Sequence, residues 1–149
     1  MTGFDLKPGS VVRFDFLWKD DEDKGLAHGL KDRPCAVVLM SKKRRDGARV
    51  IMVCPITHEP PDANISAVEI PLQVARALKL DADRMWIKTH EVNTFEYREP
   101  QIPYGITPAH DGQWSFGQLP YSLGARMHQQ VMENSRSRNL ARIDRERPE

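Results

Sequence analysis

The chain has 149 residues, 40% hydrophobic and 29% charged, with a formal net charge of +1. This suits one globular domain with a real core and excludes a global field that would draw in nucleic acid, so any anion-binding face must be local. No apolar run is long enough to span a membrane and residues 1–5 carry no signal-peptide pattern, so a cytoplasmic protein without membrane contact is expected.

Lys7-Pro8-Gly9-Ser10 reads as a turn. Over residues 11–18, Val12, Phe14, Phe16 and Trp18 alternate with Arg13 and Asp15, which predicts a strand with one face in the core. Residues 20–32 begin with a charged run, carry His28 and Gly29, and predict a long loop that can fold over the next element.

That element is Arg33-Pro34-Cys35-Ala36-Val37-Val38-Leu39-Met40, an apolar, β-branched run of the kind buried on both faces of a sheet. A second such run, Val50-Ile51-Met52-Val53-Cys54-Pro55-Ile56, ends at Thr57. The charged segment between them contains Asp46-Gly47, a common turn dipeptide, so the pair predicts an antiparallel hairpin. With the loop centred near Arg45, facing residue numbers sum to about 90. Arg33 then lies opposite Thr57 at the open end of the hairpin. Cys35 and Cys54 become near neighbours. Either a disulfide or two buried thiols in a reducing compartment fits that placement.

Residues 58–64 predict a second loop and residues 66–70 a short strand. Pro71 suits the first position of a helix whose small apolar side is Leu72, Ala75 and Leu78. Over residues 84–90 a strand returns, with Trp86, Lys88 and His90 on one face and Met85, Ile87 and Thr89 on the other. Residues 91–95 continue it or bend away. Residues 99–114 read as an extended connection, and residues 117–120 open the last helix, whose Leu123, Met127 and Val131 recur at fourfold spacing. From about residue 135 an arginine-rich tail, including Arg136, Arg138, Arg142, Arg145 and Arg147, predicts a frayed, solvated end, with a phosphate-tracking tail as the alternative. The sum is a single domain, mainly β with helices. It is predicted as a small, strongly bent β-barrel with a short middle helix and a C-terminal helix.

The ordered set Gly9-Ser10-Val11-Val12, Asp15-Phe16, Lys24-Gly25, Arg33-Pro34 with Ala36-Val37-Val38-Leu39, and Cys54-Pro55-Ile56-Thr57 resembles the MazF/PemK/Kid toxin family over roughly the first 60 residues. Residues 86–95 look like the strand that completes that family's active groove, and Leu119-Pro120 before an amphipathic helix looks like its C-terminus. The resemblance implies an SH3-like barrel, usually a homodimer, acting as the toxin of a type II toxin–antitoxin pair. It implies metal-independent cleavage of single-stranded RNA at short sequences, leaving a 2′,3′-cyclic phosphate and a 5′-hydroxyl, with no cofactor. It also implies a cognate antitoxin whose disordered acidic tail blocks the groove. Carried over by position, Arg33 matches the family's catalytic arginine and Thr57 its catalytic threonine. Lys88 falls where some members have arginine and His90 where those members have aspartate, while His28 sits in a loop where some place a histidine. Glu91 and Asn93 join His28 and Trp86 as candidate substrate-binding residues.

The residue types suit that chemistry. A guanidinium can stabilise a phosphorane bidentately, and a threonine hydroxyl adds an oriented hydrogen bond. His90 or His28 can serve as general base, Lys88 can keep His90 neutral, and Lys88 or Arg33 can assist the departing oxygen. Trp86, if exposed, can stack a base. Each residue also has a plainer reading: Arg33 as an ion-pair partner of Asp15 or Glu91, Thr57 as a strand-end cap, the histidines as satisfied polar groups, Trp86 as core and Lys42-Lys43-Arg44-Arg45 as a solvated hairpin tip. A Cys54 nucleophile is disfavoured inside an apolar strand, the histidines lack zinc-ligand spacing, and no glycine-rich phosphate loop is present. The competing function is a non-catalytic module that binds nucleic acid or a partner peptide on the same barrel.

Overall fold

The structure, a computed structural model, describes residues 4–110 and 112–145. Three antiparallel strands form its centre: β1 (Ser10–Phe14), β2 (Arg33–Met40) and β3 (Arg49–Thr57). Cys35 pairs with Pro55, Ala36 with Cys54 and Val37 with Val53, which is the expected hairpin register. A bulge between Val37 and Leu39 shifts the turn-proximal pairs by one residue. On the other side of β2, Val12 faces Cys35 and Phe14 faces Arg33.

Because side chains alternate across a strand, this register separates two cores. Val12, Phe14, Cys35, Val37, Ile51 and Val53 pack on one face with Phe95 and Tyr97. Val11, Ala36, Val38, Cys54 and Ile56 pack on the other, under the helices. The cysteines are therefore buried free thiols in different cores, and the disulfide alternative falls away.

The first strand is shorter than its alternating pattern predicts. The chain leaves the ladder after Phe14 and turns into α1 (Lys19–Asp23). The reason lies far away in sequence: Asn93 holds Leu17 at both ends of its amide, accepting from the Leu17 N–H and donating to its carbonyl, each at 2.9 Å. Phe16 and Leu17 stay buried without strand pairing.

Beyond the hairpin come β4 (Ala67–Ile70), α2 (Leu72–Ala77), β5 (Met85–Lys88) and β6 (Glu91–Tyr97). The predicted middle helix is present, with Pro71 as its N-cap. β5 and β6 share one edge of β3: Ile56 faces Ile87 and Thr57 faces Trp86, while Val53 faces Asn93. Between them the chain kinks at Thr89 and His90. The kink is pinned by the last helix. Thr89 Oγ1 donates to Gln130 Oε1 at 2.8 Å and lies 2.8 Å from Ser66 Oγ, and Asn134 Nδ2 donates to both Ser66 Oγ and the Thr89 carbonyl.

β7 (Ile106–Thr107) and β8 (Ser115–Gln118) pair with β1, the first at Arg13 and Phe14, the second at residues 10–12. Residues 117 and 118 thus end a strand rather than open a helix, and α3 (Tyr121–Arg136) starts after Pro120. Its Leu123, Met127 and Val131 are the buried stripe that the fourfold spacing predicts. The frayed tail is a second correction. Residues 141–144 form β9 (Ala141–Asp144), parallel to β6, and only residues 146–149, including Arg147, lie outside the described region at this end of the chain.

Among the described residues the result is mainly β, a nine-stranded and largely antiparallel sheet with three helices. Its strand path β4-β5-β3-β2-β1-β7 does not close on itself. It is nonetheless curled: Phe14 and Phe95, on strands separated by the β2–β3 pair, stack with centroids 5.0 Å apart. Arg145, just past β9, donates to the Asp15 carbonyl and pairs with its carboxylate at 3.0 Å. Side chains thus bridge the gap that the backbone ladder leaves open. Among the described residues no helix is long and apolar enough to cross a membrane.

Candidate functional site

The hairpin register carries Arg33 and Thr57 to the same end of the sheet, and both border one pocket of about 340 Å³. Arg33 is half-buried. Its guanidinium lies 5.1 Å from the centre of the Trp18 ring, its Nε is buried without a hydrogen-bond partner, and it makes no ion pair among the described residues. The ion-pair reading of Arg33 therefore fails: Asp15 is held by Arg145, and Glu91 accepts from the Lys19 N–H at 2.7 Å. A cation with unused donors beside a pocket suits an anionic ligand. Thr57 does act as a strand-end cap, since its Oγ1 accepts from the Glu59 N–H at 3.1 Å. That contact uses a lone pair and leaves the hydroxyl proton available to a ligand oxygen.

The candidates on β5 and β6 do not join this pocket. Lys88 is buried and its pKa is lowered, first by burial, with Asp62 and Glu59 pulling it back up. His90 is lowered by burial and then by the Lys88 charge, against a weaker opposing pull from the Ser66 backbone. The expected influence of Lys88 on His90 is thus present, but in a separate polar cluster. There Glu91, raised chiefly by burial, lies 3.6 Å from His90 Nε2. That contact is an ion pair only when the His90 imidazole carries a proton.

Three substrate-binding expectations meet physical obstacles. Trp86 is 6% exposed, with the Arg84 guanidinium 5.0 Å from its ring centre, so no open face is offered to a base. Asn93 is fully buried and its amide is occupied by Leu17 and Arg145. His28 is exposed, donates from Nδ1 to the Gly29 carbonyl at 3.1 Å, and does not line the pocket.

The pocket instead recruits residues that sequence patterns did not single out: Arg13, Lys31 and His58, with Asp32 and Asp81. Arg13, Lys31 and His58 are exposed, and none of the three has a side-chain hydrogen bond or ion pair among the described residues. Asp32 accepts from Thr107 at 3.0 Å. A signal for His58 was available, since it directly follows Thr57, but it looked like the first residue of a loop. A larger cavity of about 560 Å³ lies where β6 and β9 face residues 101–104. Its Arg44, Arg98, Arg142 and Arg145 are each matched to a carboxylate, so its donors are largely engaged. Among the described residues no cluster of three or more His, Cys, Asp or Glu side chains is placed to hold a metal ion.

Comparison of this chain with protein-family models, with curated proteins and with solved structures finds no match. The case for a function therefore rests on the site itself.

Proposed function

We propose that this protein is a metal-independent endoribonuclease of the MazF/PemK/Kid toxin type, cutting single-stranded RNA in the cytoplasm to arrest growth. In this reading the curled sheet is an SH3-like barrel, the protein is a homodimer, and a cognate antitoxin with an acidic tail restrains it. The observation that carries the reading is the meeting of an unpaired guanidinium, Arg33, and a threonine hydroxyl, Thr57, at one pocket. Arg33 neutralises charge on the pentavalent phosphorane, and Thr57 orients a non-bridging oxygen. The ordered motifs of the first 60 residues support the same assignment.

The test is incubation of the purified protein with long single-stranded RNA in EDTA. Discrete fragments with 5′-hydroxyl ends are expected, and Arg33→Ala lowers the rate by about 10²-fold or more while leaving the fold intact. Full cleavage by Arg33→Ala refutes the site. A second reading, a non-catalytic binding module, draws on the covered Trp86 and on the separation of Lys88 and His90 from the pocket. RNA left intact across several sequences, yet retained by the protein, favours it.

A further inference from the structure

The pocket beside Arg33 and Thr57 contains one imidazole, and it belongs to neither histidine that sequence position favours. His58 lines the pocket with Arg13, Lys31 and Arg33, whereas His28 and His90 do not. It is exposed, and among the described residues no hydrogen bond engages its ring. Its backbone position is nevertheless well defined. Thr57 ends β3 paired to Trp86, and the Thr57 hydroxyl caps the Glu59 N–H, so His58 is held between two anchored residues.

The cations are arranged to match. Arg13 faces Pro34 across the β1–β2 ladder, and Lys31 sits two residues before Arg33, so three positive side chains border the same space. In the larger cavity near β9 every arginine answers to a carboxylate. Here Arg13, Lys31 and Arg33 make no ion pair among the described residues. Asp32 and Asp81 line the pocket too, but among the described residues neither makes an ion pair with these cations, so the donors stay open to a polyanionic strand.

We infer that His58 is the proton-accepting group of this site and that Lys31 and Arg13 flank the bound phosphodiester, an inference that rests on the ribonuclease reading above. One imidazole nitrogen of His58 takes the 2′-hydroxyl proton as the 2′-oxygen forms its bond to phosphorus. The bond from phosphorus to the 5′-oxygen breaks, and that oxygen takes a proton from the Lys31 ammonium. The phosphorane charge rests on Arg33. Afterwards His58 returns its proton to water and Lys31 regains one, so the residues are restored with no co-reactant.

The experiment measures cleavage of single-stranded RNA in EDTA by the whole protein and by His58→Ala, His90→Ala and Arg33→Ala across a range of pH. His58→Ala is expected to lose about 10²-fold in rate, to lose the acid limb of its pH–rate profile, and to regain activity on addition of free imidazole. A structural role for His58 gives no imidazole rescue. The inference is overturned if His58→Ala cleaves like the parent protein while Arg33→Ala is inactive, or if His90→Ala alone loses the acid limb. If the parent protein cleaves no RNA, the ribonuclease reading itself fails and the role of His58 goes with it.

Discussion

Burial and the nearby Lys88 charge both push the His90 pKa down, and the direction fixes how stability changes with pH. An unfolded histidine takes its proton near pH 6.5. Folded His90 takes it only at lower pH, so below 6.5 the unfolded chain binds the extra proton. The stability tied to this residue is complete above pH 6.5 and is lost as pH falls through the folded value. Glu91 works in the opposite sense. Its raised pKa adds a penalty above its folded value that disappears as pH falls below the ordinary carboxylate range. Melting temperatures at about pH 7.5 and about pH 5.5 test the His90 contribution. His90→Gln is expected to lose less stability over that interval than the parent protein, and an equal loss removes His90 as the cause. The i, i+2 placement of Lys88 and His90 was legible in the sequence. The burial that dominates both shifts was not, because it comes from chain segments distant in sequence.

At the level of elements, β9 shows where local patterns stop informing. Ala141-Arg142-Ile143-Asp144 offers one large apolar side chain within a charged run, so the stretch reads as solvated. Its strand character comes from β6, with Val92 facing Arg142 and Asn93 facing Ile143. It is fastened by Arg145, whose side chain is only 10% exposed and which reaches Asp15, Asn93 and the Phe14 ring. Arg145→Ala and Asp15→Ala are each expected to cost about 2–3 kcal/mol. Urea titration of both single variants and the double variant is the check. The double should fall short of the summed losses by about 1 kcal/mol or more, because the two residues share one contact. Strict additivity would show that they do not act as a pair. By contrast the hairpin and α3 were legible, since Asp46-Gly47 marks a turn and the fourfold apolar spacing marks a helix face.

For the molecule as a whole, the central hairpin fixes which residues can meet. Once Cys35 faces Pro55, Arg33 and Thr57 must arrive at one end, which is why that half of the site could be read from spacing. The other half depends on how β5 and β6 divide the edge of β3. The kink at Thr89 and His90 decides between the two courses open to residues 91–95, giving two strands instead of one, and neither Lys88 nor His90 lines the pocket. No local pattern announces that kink, because Ser66, Gln130 and Asn134 impose it from elsewhere in the chain.

The same hairpin sets Cys35 and Cys54 back to back, each sealed in its own apolar compartment, with burial the leading cause of a raised thiol pKa at both. Neither sulfur should react with an aromatic disulfide reagent in the native protein. In rising denaturant they become a pair of natural timers. Simultaneous labelling of both would show the two compartments melting in concert, and staggered labelling would reveal which side of the sheet lets go first.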